Sequence, residues 1–237
     1  MSANTIKVGG AETFSLVDFP DKISAVIFMQ GCPWRCPFCH NAFLQDFQHD
    51  SGFIWDKFIK FLETRRNILD GVVFSGGEPL VQDNLSQAIQ EVKSLGFKIG
   101  LHTGGYRPEH LQKILPLLDW VGLDIKAPLN AEQYAQATGV APAAQIENIK
   151  KSLQLLIDSG IDFECRTTCD PRILSIEDIK TIADELSSFG VAKYYLQKYR
   201  PIESDKTTGD SDCEKFFRNK DLLQYLQSKF QVFDIRK

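Results

Sequence analysis

The sequence predicts an α/β fold, a partial (β/α)6 TIM-like barrel, on three observations. Short β-rich runs alternate with amphipathic helical stretches, six such β/α units follow one another, and the chemically unusual residues fall where strands end and loops begin. Parallel strands need crossover helices, so this alternation argues for a parallel sheet. Six units fall short of the eight that close a complete barrel, and a curled sheet of this size is expected to leave a lateral opening. The 237 residues are expected to form a single domain over 1–237. Its core covers about 23–200, and a C-terminal loop, helix and strand occupy 201–237.

Taken in order, Ile23–Met29 reads as a buried strand that ends at Gly31. Phe53–Arg66 carries Phe53, Ile54, Phe58, Ile59, Phe61 and Leu62 at helical spacing. Gly71–Phe74 is the next strand, followed by the turn Ser75-Gly76-Gly77-Glu78-Pro79. Asn84–Leu95 reads as a helix stopped by Gly96. Strand Phe97–His102, helix Pro108–Leu117 and strand Trp120–Ile125 come next. Helix Gln145–Ser159 ends at Gly160 and precedes strand Asp162–Thr168. Helix Ile176–Phe189 ends at Gly190 and leads to strand Lys193–Tyr199. The polar stretch Glu203–Asp212 reads as an exposed loop. One continuous helix, Glu214–Lys229, then leads to a terminal strand, Gln231–Ile235.

Composition narrows the function classes. With 43% hydrophobic and 24% charged residues the chain is an ordinary globular protein, and it is long enough to bury a core without disulfide staples. A net charge of −4 leaves no basic footprint for nucleic acid. No basic start followed by an apolar segment occurs in residues 1–22, and Ala25–Met29 is too short an apolar run to span a bilayer. No membrane association and a cytoplasmic location are therefore expected. In a reducing compartment the six cysteines read as metal ligands or buried thiols before disulfides.

Three of them, Cys32, Cys36 and Cys39, are spaced C-x3-C-x2-C on a short loop held by Pro33 and Pro37. Thiolates this close can converge on one metal centre. A [4Fe–4S] cluster takes four cysteines, so three leave one iron open to bind and activate another molecule. The alternative is a structural zinc site completed by His40 or another residue. Cys165 and Cys169 read as buried thiols, Cys213 has no evident partner, and His49 and His110 sit in polar, helix-flanking contexts. After the second, third and fourth strands come Gly76-Gly77-Glu78, His102-Thr103-Gly104-Gly105 and Asp124-Ile125-Lys126. The glycine pair is either a tight turn or a place where backbone approaches a ligand. Asp124 and Lys126 alternate with apolar neighbours and share a face, where they pair with each other or with a ligand.

On these motifs the chain resembles the radical S-adenosylmethionine (SAM) superfamily. Its hallmark is C-x3-C-x2-C with an aromatic before the last cysteine, matched by Cys32, Cys36, Phe38 and Cys39. Gly76-Gly77-Glu78-Pro79 is similar to that family's SAM-binding turn. Within the superfamily the chain resembles the small activating enzymes of glycyl radical enzymes. Phe14-Ser15-Leu16-Val17-Asp18-Phe19-Pro20, Gln30-Gly31-Cys32 and Cys39-His40-Asn41 are similar to the activating protein of anaerobic ribonucleoside-triphosphate reductase. Asp124-Ile125-Lys126 is similar to an Asp-x-Lys motif of pyruvate formate-lyase activators. Those activators carry Asp-Thr-Asn-Gly where this chain has His102-Thr103-Gly104-Gly105, which puts a ribose contact at His102 in question.

The resemblance implies a radical SAM core and an oxidoreductase. Cys32, Cys36 and Cys39 would hold a [4Fe–4S] cluster whose open iron chelates SAM. Phe38, His40, Asn41, Gly76, Gly77, Glu78, Thr103, Asp124 and Lys126 would surround SAM or the incoming substrate. Reductive cleavage would yield methionine and a 5′-deoxyadenosyl radical that removes a hydrogen atom from a glycine of the partner. The implied partners are a glycyl radical enzyme, foremost anaerobic ribonucleotide reductase, and reduced flavodoxin or ferredoxin as electron donor. A pyruvate formate-lyase-type activase, a radical SAM enzyme acting on a small molecule or other peptide, and a structural metal or electron-transfer protein are the other readings.

Overall fold

The computed structural model describes residues 6–140 and 143–236. Its strands are β1 (Val8–Ser15), β2 (Ser24–Met29), β3 (Gly71–Gly76), β4 (Lys98–Thr103), β5 (Trp120–Asp124), β6 (Phe163–Cys169), β7 (Lys193–Lys198) and β8 (Val232–Arg236). They form one sheet in that order. β1 runs antiparallel to β2, with Val8 opposite Met29 and Ser15 opposite Ser24, and every later pairing is parallel. The crossover helices are α1 (Trp55–Glu63), α2 (Leu85–Ser94), α3 (Pro108–Ile114), α4 (Ala131–Thr138), α5 (Ala143–Ser159), α6 (Ile176–Phe189), α7 (Asp210–Arg218) and α8 (Lys220–Lys229). No described helix is long and apolar enough to cross a membrane.

Strand alternation builds two cores. On β5 the residues Val121 and Leu123, and on β6 Cys165 and Cys169, face outward into the main core with the helices. Trp120, Gly122 and Asp124, with Glu164, Arg166 and Thr168, take the opposite face. There, Phe19 from the β1–β2 connection meets Val26, Val73 and Trp120 in a second, small core, its ring stacked on Trp120 at 5.7 Å between centroids. Gly71 makes room for it, since a Cβ there would lie 2.9 Å from the Phe19 ring. The plug fills the N-terminal end of the curled sheet and leaves the C-terminal end for chemistry. Asp18, beside the plug, and Arg236 of β8 line one cavity. The two ends of the sheet therefore face each other across a gap, which is the lateral opening that six units predict.

Several local features differ from the sequence expectations. β1 contains Gly9 and Gly10 and has little strand propensity of its own, so its pairing with β2 forms it. α4 arises in a segment with no strong apolar period, capped by the Asn130 side chain at one end and by left-handed Gly139 at the other. The expected helix Glu214–Lys229 is two helices. It breaks at Asn219, whose side-chain oxygen accepts from the Leu222 N–H at 2.9 Å and starts α8. The expected loop Glu203–Asp212 stops at Gly209, because the Asp212 carboxylate accepts from the Gly209 N–H and opens α7. Cys213 and His110 lie buried, and His110 keeps a charged neighbour, its Nε2 lying 3.6 Å from Asp83.

Because Phe19 is the centre of the inner plug, Phe19→Ala is expected to destabilise the protein by about 3–5 kcal/mol, the usual cost of deleting a buried phenyl ring. Urea unfolding measures it; a loss below about 1 kcal/mol would show that the plug does not support the barrel.

Candidate active site

The C-terminal ends of β2 to β6 surround an inner cavity of about 250 Å³. Every residue singled out from the sequence as a metal ligand or cofactor contact, from Cys32 to Lys126, lines it. The cysteine loop leaves β2 and turns on a Cys39 N–H···O=C Cys36 bond of 3.1 Å. Remote elements fix the rest of its shape. The Arg35 N–H donates to the Thr138 carbonyl at 2.7 Å, at the end of α4. The Arg35 guanidinium donates to the carbonyls of Cys32 and Trp34, both at 2.8 Å. From the β6–α6 connection, Arg172 donates to the Pro37 carbonyl at 3.3 Å.

All three thiols of the loop are half-buried. Burial pushes the Cys32 thiol up to about 12 and raises Cys36 as well, with Lys126 opposing both. Thiols in this setting ionise only against a strong local cation, and iron supplies one. Among the described residues no three His, Cys, Asp or Glu side chains converge so as to hold a single ion. A cluster asks for less: thiols facing a shared space, one for each iron. The cysteine loop meets that requirement.

The glycine turn is locked to β2. The Gly77 N–H donates to the Met29 carbonyl at 2.9 Å and the Glu78 N–H to the Gly31 carbonyl at 3.0 Å. Gly76 has φ of +103°, and a Cβ there would lie 2.4 Å from the Met29 nitrogen. Close approach to β2 by itself therefore demands glycine. Glu78 is 1% exposed. Its Oε1 accepts from the Leu80 N–H at 3.1 Å and the Thr103 hydroxyl, and its Oε2 accepts from the Gly104 N–H at 2.8 Å. Burial nonetheless raises its pKa, against those donors. Three of about four acceptor positions are filled, which leaves one on Oε2.

At the fourth strand end, Asp124 Oδ1 accepts from Arg166 Nε and Nη2 at 2.9 and 2.8 Å, while Lys126 Nζ lies 3.6 Å from Oδ2. The shared face expected for Asp124 and Lys126 is present, but the stronger partner is Arg166, which sequence reading missed. Its inward position was available in the alternation Glu164, Arg166, Thr168. Gly122 admits it, since a Cβ there would sit 2.8 Å from the guanidinium carbon. Burial works against the Asp124 charge, yet Arg166 and Lys126 hold its carboxyl below the usual range. The Lys126 pKa is raised although burial opposes its charge, because Asp124, Cys36, Tyr134 and Cys32 together outweigh that burial. Its ammonium also lies over the Trp34 ring, 5.3 Å from the centroid. Trp34, 3% exposed, meets Tyr106 edge-on, and its Nε1 has no partner among the described residues.

His102 is a brace. Its Nε2 lies 2.8 Å from the Asp18 carbonyl, which can only accept, so Nε2 carries the proton and Nδ1 accepts from the Ser75 hydroxyl at 3.3 Å. Both ring nitrogens are engaged, so the ring ties β3 and β4 to the β1–β2 connection and keeps no acceptor for a ribose. Thr103 is committed too, donating to Glu78 and accepting from the Gly105 N–H. The inner cavity shares His40, His102, Asp124 and Thr168 with a neighbouring outer one of about 660 Å³ at the lateral gap.

A family model described as the radical SAM superfamily matches residues 26–186. A Methanocaldococcus jannaschii protein described as a candidate glycyl-radical enzyme activating enzyme is 31% identical over 204 residues, covering 83% of this chain and 81% of the relative. The pyruvate formate-lyase-activating enzyme of Clostridium pasteurianum is 34% identical over 236 residues, covering 93% and 97%. Among solved structures, a radical SAM methyltransferase from Sphaerobacter thermophilus superposes with a TM-score of 0.68 at 14% identity, covering 92% of this chain and 67% of that one. Streptococcus suis SuiB bound to S-adenosylmethionine gives 0.65 at 16%, covering 88% and 48%. The chain spans about half the length of SuiB, and at such identities the likeness is one of fold.

Burial, and then the Arg166 charge, push the His102 pKa down to about 3 from an ordinary 6.5. The unfolded chain takes up this proton below 6.5, whereas the folded one resists until about 3. Stability is therefore lost progressively as pH falls through that window. His102→Gln, which retains a donor and an acceptor, is expected to lose less stability than the parent between about pH 7 and about pH 4.5 in urea titrations. Equal losses would exclude His102 as the source.

Proposed function

The chain belongs to the radical SAM superfamily, among its glycyl-radical enzyme activating enzymes, and on that premise we propose that its partner is anaerobic ribonucleoside-triphosphate reductase. Its cofactors are a [4Fe–4S] cluster and S-adenosylmethionine. When bound, they supply the electron and the hydrogen-abstracting group. The observation that carries the reading is the adjacency of the two cavities, which share His40, His102, Asp124 and Thr168. The inner one brings three thiols and Lys126 together, and the outer one is open at the side of the barrel. A loop of a macromolecule needs such an entrance, whereas a sealed pocket would suit a small metabolite.

In this proposal Cys32, Cys36 and Cys39 hold the cluster. Lys126, paired at only 3.6 Å, turns its remaining donors to the methionyl carboxylate. The N–H groups of Gly77 and Glu78 are already spent on β2, so this turn offers acceptors, which with Glu78 Oε2 suit the methionyl ammonium. Phe38 packs on the adenine, and His40 and Asn41 border the site where it opens. Thr103 shapes the site through Glu78 rather than touching the ligand. Asp124, held by Arg166, orients Lys126 and faces the incoming glycine.

Support for ribonucleotide reductase over pyruvate formate-lyase comes from Phe14–Pro20, Gln30–Cys32 and Cys39–Asn41. The first of these forms the lip of the lateral opening, where Val17 and Asp18 line the outer cavity. Reduced flavodoxin or ferredoxin is the proposed electron donor. A cytoplasmic location fits the three buried cysteines outside the loop, all unpaired.

Three measurements test the proposal. Cys36→Ala is expected to abolish cluster absorbance and SAM cleavage while cooperative unfolding persists; surviving cleavage would refute the cluster assignment. Lys126→Met is expected to weaken SAM binding roughly 10–100-fold, the worth of a charge-assisted hydrogen bond. Reconstituted, reduced protein mixed with anaerobic ribonucleotide reductase is expected to give a glycyl radical signal by electron paramagnetic resonance. A signal with pyruvate formate-lyase alone would reassign the partner.

A further inference from the structure

The outer cavity holds a contrast that the activating chemistry does not require. Its cationic side chains are already engaged, and the Asp18 carboxylate accepts from the Ser15 hydroxyl. Arg166 is held by Asp124, Arg236 by both oxygens of Glu164, and Lys198 by Asp210 and Glu214. Arg200 is engaged as well. Two neutral side chains on the same wall are not paired. Thr168 and Gln197 are direct partners in the β6–β7 register, both line the outer cavity, and both are half-buried. Among the described residues neither side chain meets a hydrogen-bond partner. Thr168 also lines the inner cavity, whereas Gln197 lines only the outer one. The pair thus leads from the cluster towards solvent.

An anionic ligand entering here would have to compete with the carboxylates that already hold these cations, among them the buried Glu164. A neutral ligand with peptide groups would break nothing. A primary amide presents a carbonyl and an NH2 side by side, the complement of a peptide group, and a threonine hydroxyl both donates and accepts. Glycine has no side chain to be recognised, so a site that selects a glycine loop must read its main chain.

We infer that Thr168 and Gln197 bind the backbone amides flanking the target glycine, making the outer cavity a site for an uncharged extended peptide. This rests on the glycyl radical reading above and adds the residues that would select the substrate.

The test uses the reconstituted, SAM-loaded protein, a capped uncharged peptide with a central glycine, and its analogue with esters in place of the two flanking amides. The parent protein is expected to bind the amide peptide roughly tenfold more tightly than the ester, the worth of one or two neutral hydrogen bonds. Gln197→Leu and Thr168→Val are each expected to narrow that gap, and Thr168→Ser to preserve it. A gap that persists in both variants overturns the inference, since loss of packing weakens amide and ester alike. If the partner enzyme still acquires a glycyl signal in that case, the inference alone falls and the activating function stands. Binding of inorganic triphosphate in place of the peptide also overturns the inference, and an absent glycyl signal would then remove the broader reading with it.

Discussion

A single buried carboxylate joins the strand ends on which this site depends. Glu78 fixes its own short helical turn through the Leu80 N–H, reaches β4 through Thr103 and Gly104, and donates its backbone N–H to the end of the cysteine loop at Gly31. Three consecutive strand ends, β2, β3 and β4, therefore share one residue. The cost is a charge in a dry place, visible as a carboxyl whose pKa burial raises despite its donors. A carboxylate with one acceptor position to spare, beside a turn whose N–H groups are spent, favours a cation. The same geometry that closes the sheet thus sets the polarity of the inner cavity.

The barrel mouth above the Phe19 plug follows a second rule: Arg166, Lys198 and Arg236 each enter it with a carboxylate. Arg166 and Asp124, Arg236 and Glu164, and Lys198 with its two carboxylates each bring their own counter-ion into the barrel mouth. A half-buried ion pair contributes little to stability, but it fixes where charge lies and prevents an unpaired ion from recruiting unwanted anions. Lys126 is the looser member, 3.6 Å from a carboxylate already taken by Arg166, with an indole face as its other support. Its position beside the thiols leaves a cation with donors to offer where the cofactor chemistry needs them.

Much of this was legible in the sequence because the signals were local. The C-x3-C-x2-C spacing, the glycine turn and the alternation in Asp124-Ile125-Lys126 each lie within a few residues, and the β/α rhythm places them on one rim. What escaped is long-range. Nothing near Arg166 says that it reaches across from β6 to Asp124, and nothing near Arg172 says that it holds the Pro37 carbonyl 135 residues away. β1 and α4 escaped for another reason: each depends on tertiary partners that local propensity does not encode. The sequence leaves His102 open. It puts a ribose contact at this position in question, and both ring nitrogens serve the fold.

The incomplete barrel ties these observations together. Eight units would join the sheet ends and leave access only from the top. Here the antiparallel β1 and the parallel β8 remain apart, and the connection after β1 folds inward so that Phe19 fills the floor while Asp18 and Val17 form the rim. His102 fastens that connection through the Asp18 carbonyl. The opening is therefore a braced feature of the fold, with a floor, a lip and walls on which Arg166, Lys198 and Arg236 are each held by a carboxylate. A long polypeptide substrate needs such a side entrance, because its chain must enter, present one glycine and leave without threading through the barrel. An inner cavity that holds the thiols and Lys126 thus adjoins an outer one whose Arg166, Lys198 and Arg236 are held by carboxylates, and the two differ in chemistry.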